Sequence, residues 1–195
     1  MLTPMHPSES KQQLRESIIE RLAHMSEKDR ADESRSICRR LKENIPEGSG
    51  VCVYSALKKT EPDLTMLIEK LLKRGDKVYF PFFEGDHFIF KRAMNLDELK
   101  PGKLKILEPP ADSELADPKE IDFVLVPGRA FDRNGNRLGR GNGGYDYWIA
   151  DQRMANPKTA MWGVAFECQI VNEVPVEEHD RRVDGVVTAR TLLSC

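Results

Sequence analysis

The chain has 195 residues, 39% of them apolar and 32% charged, with a formal net charge of −2. That length and composition predict one domain, residues 1–195, large enough to bury a core. Near-balanced acids and bases give no electrostatic footprint for nucleic acid, and no apolar run approaches the roughly 20 residues of a membrane span.

Met1 to Pro7 lacks the apolar core of a signal peptide. Cys38, Cys52, Cys168 and Cys195 are too far apart for a C-x-x-C pair and read as free thiols in a reducing cytosol. The expectation is a cytoplasmic monomer that works on small molecules, with neither nucleic acid nor membrane as partner.

The first forty residues predict two amphipathic helices, with Leu14, Ile18, Ile19 and Leu22 on one stripe and Ile37 and Leu41 after a break. Ser26 with Asp29 is a capping-box pattern at that break. Lys11 and Arg15, four apart, share a helical face, which on an amphipathic helix is ordinarily solvated. From Gly50, β-rich runs alternate with helices: Val51–Ser55, Val78–Phe83, Phe88–Phe90, Phe123–Val126, Ala160–Phe166 and Gly185–Thr188. Pro62, the stripe Leu64, Leu67, Ile68, Leu71, Leu72, and Gly75 mark the start, face and end of one helix. Asn95 to Lys119, charged and proline-bearing, reads as an irregular connection. Alternation of this kind predicts a three-layer α/β/α domain with a mostly parallel, Rossmann-like sheet. Ligands in such sheets bind at the carboxyl ends of strands, where the loops after Tyr54 and Val126 emerge.

The densest chemistry lies in Val126 to Trp148, VPGRAFDRNGNRLGRGNGGYDYW. Gly139, Gly141, Gly143 and Gly144 allow positive φ and can present consecutive N–H groups to an anion. Arg137 and Arg140 add guanidinium forks that match phosphate oxygens, and a following helix would aim its positive end the same way. Asp146 beside phosphate is repulsive unless a hard cation such as Mg²⁺ lies between, so the stretch suggests a metal-nucleotide site. Most glycine-rich loops bind nothing, yet four glycines and two arginines with no Ser or Pro is not linker composition. No Gly-Lys-Ser/Thr follows, so this is not a Walker A loop. Gly139, Gly141 and Gly144 also spell G-x-G-x-x-G, with Glu167 available for a ribose, but these glycines begin about a dozen residues after the strand instead of immediately.

The run PGRAFDRNGNRLGRGNGGYD, the Lys11–Arg15 pair and the later GVAFECQIVNEVPVEEHDRRVDGVVT together resemble the 5-formyltetrahydrofolate cyclo-ligase family. The resemblance spans nearly the whole chain, with its blocks in family order. It implies ATP- and Mg²⁺-dependent closure of 5-formyltetrahydrofolate to 5,10-methenyltetrahydrofolate, releasing ADP and phosphate without a protein nucleophile. It implies an ATP site of Lys11, Arg15, Arg137, Leu138, Gly139, Arg140, Gly141, Asn142, Gly143, Gly144 and Tyr145. Glu61, Ala56 and Tyr145 would contact the folate, with Asp146 and Asp180 as Mg²⁺ ligands and His179 at most positioning. Phe82, Phe83, Tyr145 and Trp162 are candidates to pack on the folate rings.

Three departures from the family stand out: Leu64 replaces the threonine of its Glu-x-x-Thr pattern, Gly144 stands where members carry tyrosine, and Tyr147 stands where a basic residue often follows the Asp. Gly144 either leaves room beside the folate or adopts positive φ in the phosphate loop. The rival readings are a non-catalytic folate- or nucleotide-binding relative and a dinucleotide-dependent enzyme.

Overall fold

The computed structural model describes residues 7–57, 59–85, 87–103, 106–141 and 143–195. Two helices, α1 (Pro7–His24) and α2 (Glu27–Asn44), lead into β1 (Gly50–Cys52), α3 (Thr65–Lys73) and the hairpin of β2 (Lys77–Glu84) and β3 (His87–Ala93). The two-residue strands β4 (Lys100–Pro101) and β5 (Leu107–Glu108) follow, then β6 (Phe123–Pro127) and a short ribbon of β7 (Ala130–Phe131) and β8 (Arg137–Leu138). Helix α4 (Gly144–Ala155), β9 (Ala160–Val164), β10 (Gly185–Val187) and β11 (Leu192–Ser194) complete the chain.

Seven strands form one sheet in the order β11-β10-β9-β6-β1-β2-β3. Neighbours from β10 through β2 are parallel, and only the edges β3 and β11 pair antiparallel. Val51, Cys52, Val124, Leu125 and Val126 are fully buried, as expected of strands covered on both faces. Ile37 and Leu41 of α2 and Leu67 and Leu71 of α3 pack with Val51, Val78 and Leu125 on one face. Ile149 of α4 joins Phe90, Val124, Val126 and Met161 on the other, which makes the three-layer, mostly parallel architecture. The chain leaves β1 towards β2 in one direction and β6 towards β9 in the other, so the strand order reverses between β1 and β6. That reversal opens a crevice at their carboxyl ends.

Helix α1 is not part of either layer. Its Ile18 and Leu22 pack on Ala130, Leu138, Phe166 and Val174, that is, on the β7–β8 ribbon and the segment after β9. Asp132, fully buried, builds the ribbon's turn: its Oδ1 accepts the N–H groups of Asn134 and Asn136, and its Oδ2 accepts Asn136 Nδ2 and the Val174 N–H.

Local differences from the sequence expectation have physical causes. Strand β1 ends at Cys52, although the Val53 N–H still bonds Tyr79 O at 2.9 Å. Strand β3 outgrows Phe88–Phe90 because it zips along the whole of β2. Helix α3 begins at Thr65, not at Pro62: Leu64 is its N-cap, and Asp63 Oδ1 accepts the Thr65 N–H at 2.9 Å in a local turn just before it. Gly75, at φ +86°, ends it as expected. Ser26 caps α2 by accepting the Asp29 N–H, but Asp29 takes the Ser26 hydroxyl and does not reach back to the cap N–H, so only half of a capping box forms. Ribbon β7–β8, strand β11 and the β4–β5 pair inside the irregular connection were not anticipated. The four cysteines are free thiols. Among the described residues no helix is long and apolar enough to cross a membrane.

Candidate active site

A cleft of about 260 Å³ opens where the crevice between β1 and β6 meets α1. One wall is the glycine loop and the first turn of α4, the second is Lys11 and Arg15 of α1, and the third is Glu61 on the β1–α3 loop. Residues more than 120 positions apart in sequence thus face one space, since Arg15 Nε donates to Gly139 O at 3.1 Å.

The loop is shaped as its glycines suggest. Gly141 and Gly143 hold φ of +105° and +66°, and Gly143 is the N-cap of α4, so the positive end of that helix faces the cleft. Gly144 is not a positive-φ residue, which overturns that alternative for it. A Cβ there would meet Phe88 Cε1 at 3.3 Å: the room beside Gly144 is filled by the Phe88 ring, which packs on Tyr145 with centroids 4.9 Å apart. Asn142, expected to contact ATP, lies outside the described residues.

The charged candidates are engaged with one another. Arg137, nearly buried, donates from Nη2 to Asp146 Oδ2 at 2.8 Å and from Nη1 to Pro127 O at 3.3 Å, while the Arg181 N–H donates to Asp146 Oδ1 at 3.1 Å. Arg140 reaches across the cleft to Glu61 Oε1, and Glu61 Oε2 accepts the Leu57 N–H at 2.9 Å. The Glu61 loop is wound tightly, with the N–H groups of Thr60 and Glu61 both returning to Leu57 O and Lys59 at φ +73°.

Lys11 Nζ lies 2.6 Å from both Glu177 Oε2 and Asp180 Oδ2. Burial disfavours its charge, yet the bonds it donates to Asp180 and Glu177, with the charges of those carboxylates, outweigh burial and raise its pKa. Burial likewise works against ionised Asp180, and the Lys11 bond overrides it to lower that carboxyl's pKa. Glu177, not anticipated from sequence, is lowered chiefly by its bond to Lys11.

Tyr145, Leu138, Gly139 and Asp146 also line the cleft, and His179 stands at its rim with Nε2 3.7 Å from Asp180 Oδ1. Of the aromatic candidates, Phe83 and Tyr145 line it. Phe82 sits under Lys91, and Trp162 packs on Phe123. Tyr54, Ser55 and Phe88 are lining residues that the sequence reading missed. Ala56 lines an adjoining groove that shares Tyr54, Ser55 and Glu61 with the cleft.

Among the described residues no cluster of three or more His, Cys, Asp or Glu could hold a metal by itself. Asp146 and Asp180 nevertheless line the same cleft, and two carboxylates suit Mg²⁺, which keeps waters and takes phosphate oxygens as further ligands. The dinucleotide reading fails on geometry. The β7–β8 ribbon separates the glycines from β6, and Glu167, which is not among the cleft residues, receives the Arg190 N–H at Oε1.

Residues 7–189 match the model of the 5-formyltetrahydrofolate cyclo-ligase family. The chain belongs to that family. It is 38% identical over 132 residues to the 5-formyltetrahydrofolate cyclo-ligase of Escherichia coli K12, covering 66% of this chain and 71% of the relative. The probable 5-formyltetrahydrofolate cyclo-ligase of Schizosaccharomyces pombe is 28% identical over 198 residues, covering 94% of this chain and 97% of that one. The NMR structure of Aquifex aeolicus 5,10-methenyltetrahydrofolate synthetase matches with a TM-score of 0.80 and 32% identity, over 94% of this chain and 92% of that chain. A Mycoplasma pneumoniae 5,10-methenyltetrahydrofolate synthetase at 18% identity shares the fold, with a TM-score of 0.72. The chain is thus a ligase-class enzyme of the α/β type.

Proposed function

We propose that this protein closes 5-formyltetrahydrofolate to 5,10-methenyltetrahydrofolate, consuming ATP with Mg²⁺ and releasing ADP and phosphate, as one domain. The observation that carries this is the convergence, in one cleft, of a glycine loop at a helix N-terminus, the α1 cations, and the buried carboxylate of Glu61. That all of these come from one chain supports action as a monomer.

An N-formyl oxygen is a poor leaving group, so ring closure needs it activated. Transfer of the γ-phosphoryl of ATP to that oxygen gives an iminium phosphate; N10 then attacks the formyl carbon and gives up its proton, and phosphate departs to leave the methenyl bridge. Such transfer is mostly positioning and charge stabilisation. Loop N–H groups of Gly141, Gly143 and Gly144, with Arg15, Arg140 and Lys11, would hold the phosphates. Glu61 would accept the paired N–H donors of the pterin, with Phe83, Phe88 and Tyr145 against the rings. Asp146 and Asp180 would hold Mg²⁺, which when bound neutralises phosphate charge.

The guanidinium of Arg140 resembles the pterin's own donor pair chemically, so its bond to Glu61 must open when folate binds. Phosphate is the natural competing partner for Arg140. A direct test is phosphate release on mixing protein with ATP, Mg²⁺ and 5-formyltetrahydrofolate. One phosphate per folate consumed is expected, and none without folate; absence of folate-dependent release would mark a non-catalytic relative.

A further inference from the structure

Arg137 opens β8, just before the glycine loop, and Asp146 stands in the first turn of α4, just after it. Their bond, Nη2 to Oδ2 at 2.8 Å, therefore ties the two ends of the loop together. The arginine side chain is 4% exposed and passes between two glycines. A Cβ at Gly128 would lie 3.2 Å from Arg137 Cγ, and one at Gly139 would lie 3.1 and 3.3 Å from Nη1 and Nη2. The guanidinium thus fills space that only glycine leaves open.

Nη1 is fixed by Pro127 O at 3.3 Å, and Nε is buried and, among the described residues, has no partner. A guanidinium so enclosed has little surface to offer a nucleotide, whereas Arg140 keeps 30% of its side chain exposed. Asp146, 8% exposed, is gripped at both oxygens, by Arg137 at Oδ2 and by the Arg181 N–H at Oδ1. Each oxygen keeps a lone pair beyond the bond it accepts, and Asp146 lines the cleft. Its orientation is thus set from behind, before any cation arrives.

We infer that Arg137 is a positioning residue that acts through Asp146: it does not bind the nucleotide, and it holds that carboxylate in the orientation in which it takes a divalent cation. Groups that orient a metal ligand in this way are worth about ten- to a hundred-fold in metal affinity. The charge of Arg137 by itself works the other way, since it repels the cation. A net gain from Arg137 must therefore come through the placement of Asp146. The inference rests on the assignment of Asp146 to Mg²⁺ under Proposed function.

The test is the factor by which Mg²⁺ tightens ATP binding, taken from calorimetric Kd values with saturating Mg²⁺ and with EDTA, without folate. Wild type, Arg137→Lys, Arg137→Met, Asp146→Asn and the double variant Arg137→Met/Asp146→Asn are compared, with thermal melts of each. In Arg137→Met the factor should shrink about ten-fold or more while the Kd in EDTA holds. Arg137→Lys, which keeps the charge without the planar fork, should lose part of the factor. The double variant should match Asp146→Asn in both Kd values, because a residue that acts only through another adds nothing once that one is gone. That comparison stands even if stranding Asp146 keeps Arg137→Met from folding, since the double variant removes both charges together. A Kd in EDTA about ten-fold higher in the double variant than in Asp146→Asn would make Arg137 a nucleotide contact and overturn the inference. An unchanged factor in Arg137→Met also overturns it, since a merely structural role weakens both constants alike, and so does a larger factor, the sign of simple repulsion. Wild type showing no tightening by Mg²⁺, or Asp146→Asn keeping the full factor, would instead refute Asp146 as the ligand, and this inference with it.

Discussion

Replacing Glu61 by Gln keeps the shape of the side chain and removes its charge at the point where the two substrates are proposed to meet. The Glu61 side chain is 4% exposed, whereas Arg140 opposite is 30% exposed and stays solvated when the pair is broken. Losing a charge-assisted hydrogen bond costs about 1.5 to 3 kcal/mol, and the exposure of Arg140 places the loss at the lower end. For a chain of this length, a loss of about 1.5 kcal/mol lowers the melting temperature by roughly 3 to 6 °C. The same carboxylate is proposed to hold the pterin donors, so the KM for 5-formyltetrahydrofolate should rise on the order of ten-fold or more. The KM for ATP should stay constant or fall, because Arg140 is released to phosphate. Melts and initial rates with each substrate varied separately measure all three effects. An ATP KM that rises as much as the folate KM would refute the division of the cleft into a Glu61 side and a phosphate side.

Asp146→Asn and Asp180→Asn should each raise the Mg²⁺ concentration needed for half-maximal turnover while the far-ultraviolet dichroism stays native; wild-type activity at limiting Mg²⁺ would remove that residue from the ligand set. Lys11 has a raised pKa, so its contribution is complete below its ordinary 10.5 and is lost as pH climbs through the higher folded value. Asp180 and Glu177 are lowered, so theirs is complete above 3.8 and 4.5 and is lost as pH falls through the depressed values. The difference in melting temperature between wild type and Lys11→Met should therefore be flat from about pH 5 to 10 and shrink on both sides; a difference that varies steadily across that window would contradict the pairing. Gly143→Ala, forced to φ +66°, should cost about 1 kcal/mol and weaken ATP binding. Gly144→Ala, at ordinary φ and 3.3 Å from Phe88, should be milder, as paired melts and ATP titrations will show.

The sheet and its layers were legible because buried parallel strands and amphipathic helices carry their periodicity locally. So was the glycine loop that leads into α4, whose glycines cluster within one short stretch. The convergence of Lys11 and Arg15 on it was not readable from spacing, since it depends on Ile18 and Leu22 docking α1 onto a ribbon over 100 residues away; only the family resemblance pointed there. Nor could sequence show that the expected ligand groups hold one another, Arg140 on Glu61, Arg137 on Asp146 and Lys11 on Asp180. Phe88 was hidden because an aromatic in a β-run reads as core, and it fills the space that Gly144 was expected to leave.

The most direct measurement is the near-ultraviolet absorbance of 5,10-methenyltetrahydrofolate when purified protein is given 5-formyltetrahydrofolate, ATP and Mg²⁺. Product should accumulate only with all three present, and stop when EDTA is added. Accumulation that continues without ATP or in EDTA would contradict the phosphoryl-transfer chemistry assigned to the cleft, and no product under any condition would contradict the cyclo-ligase activity itself.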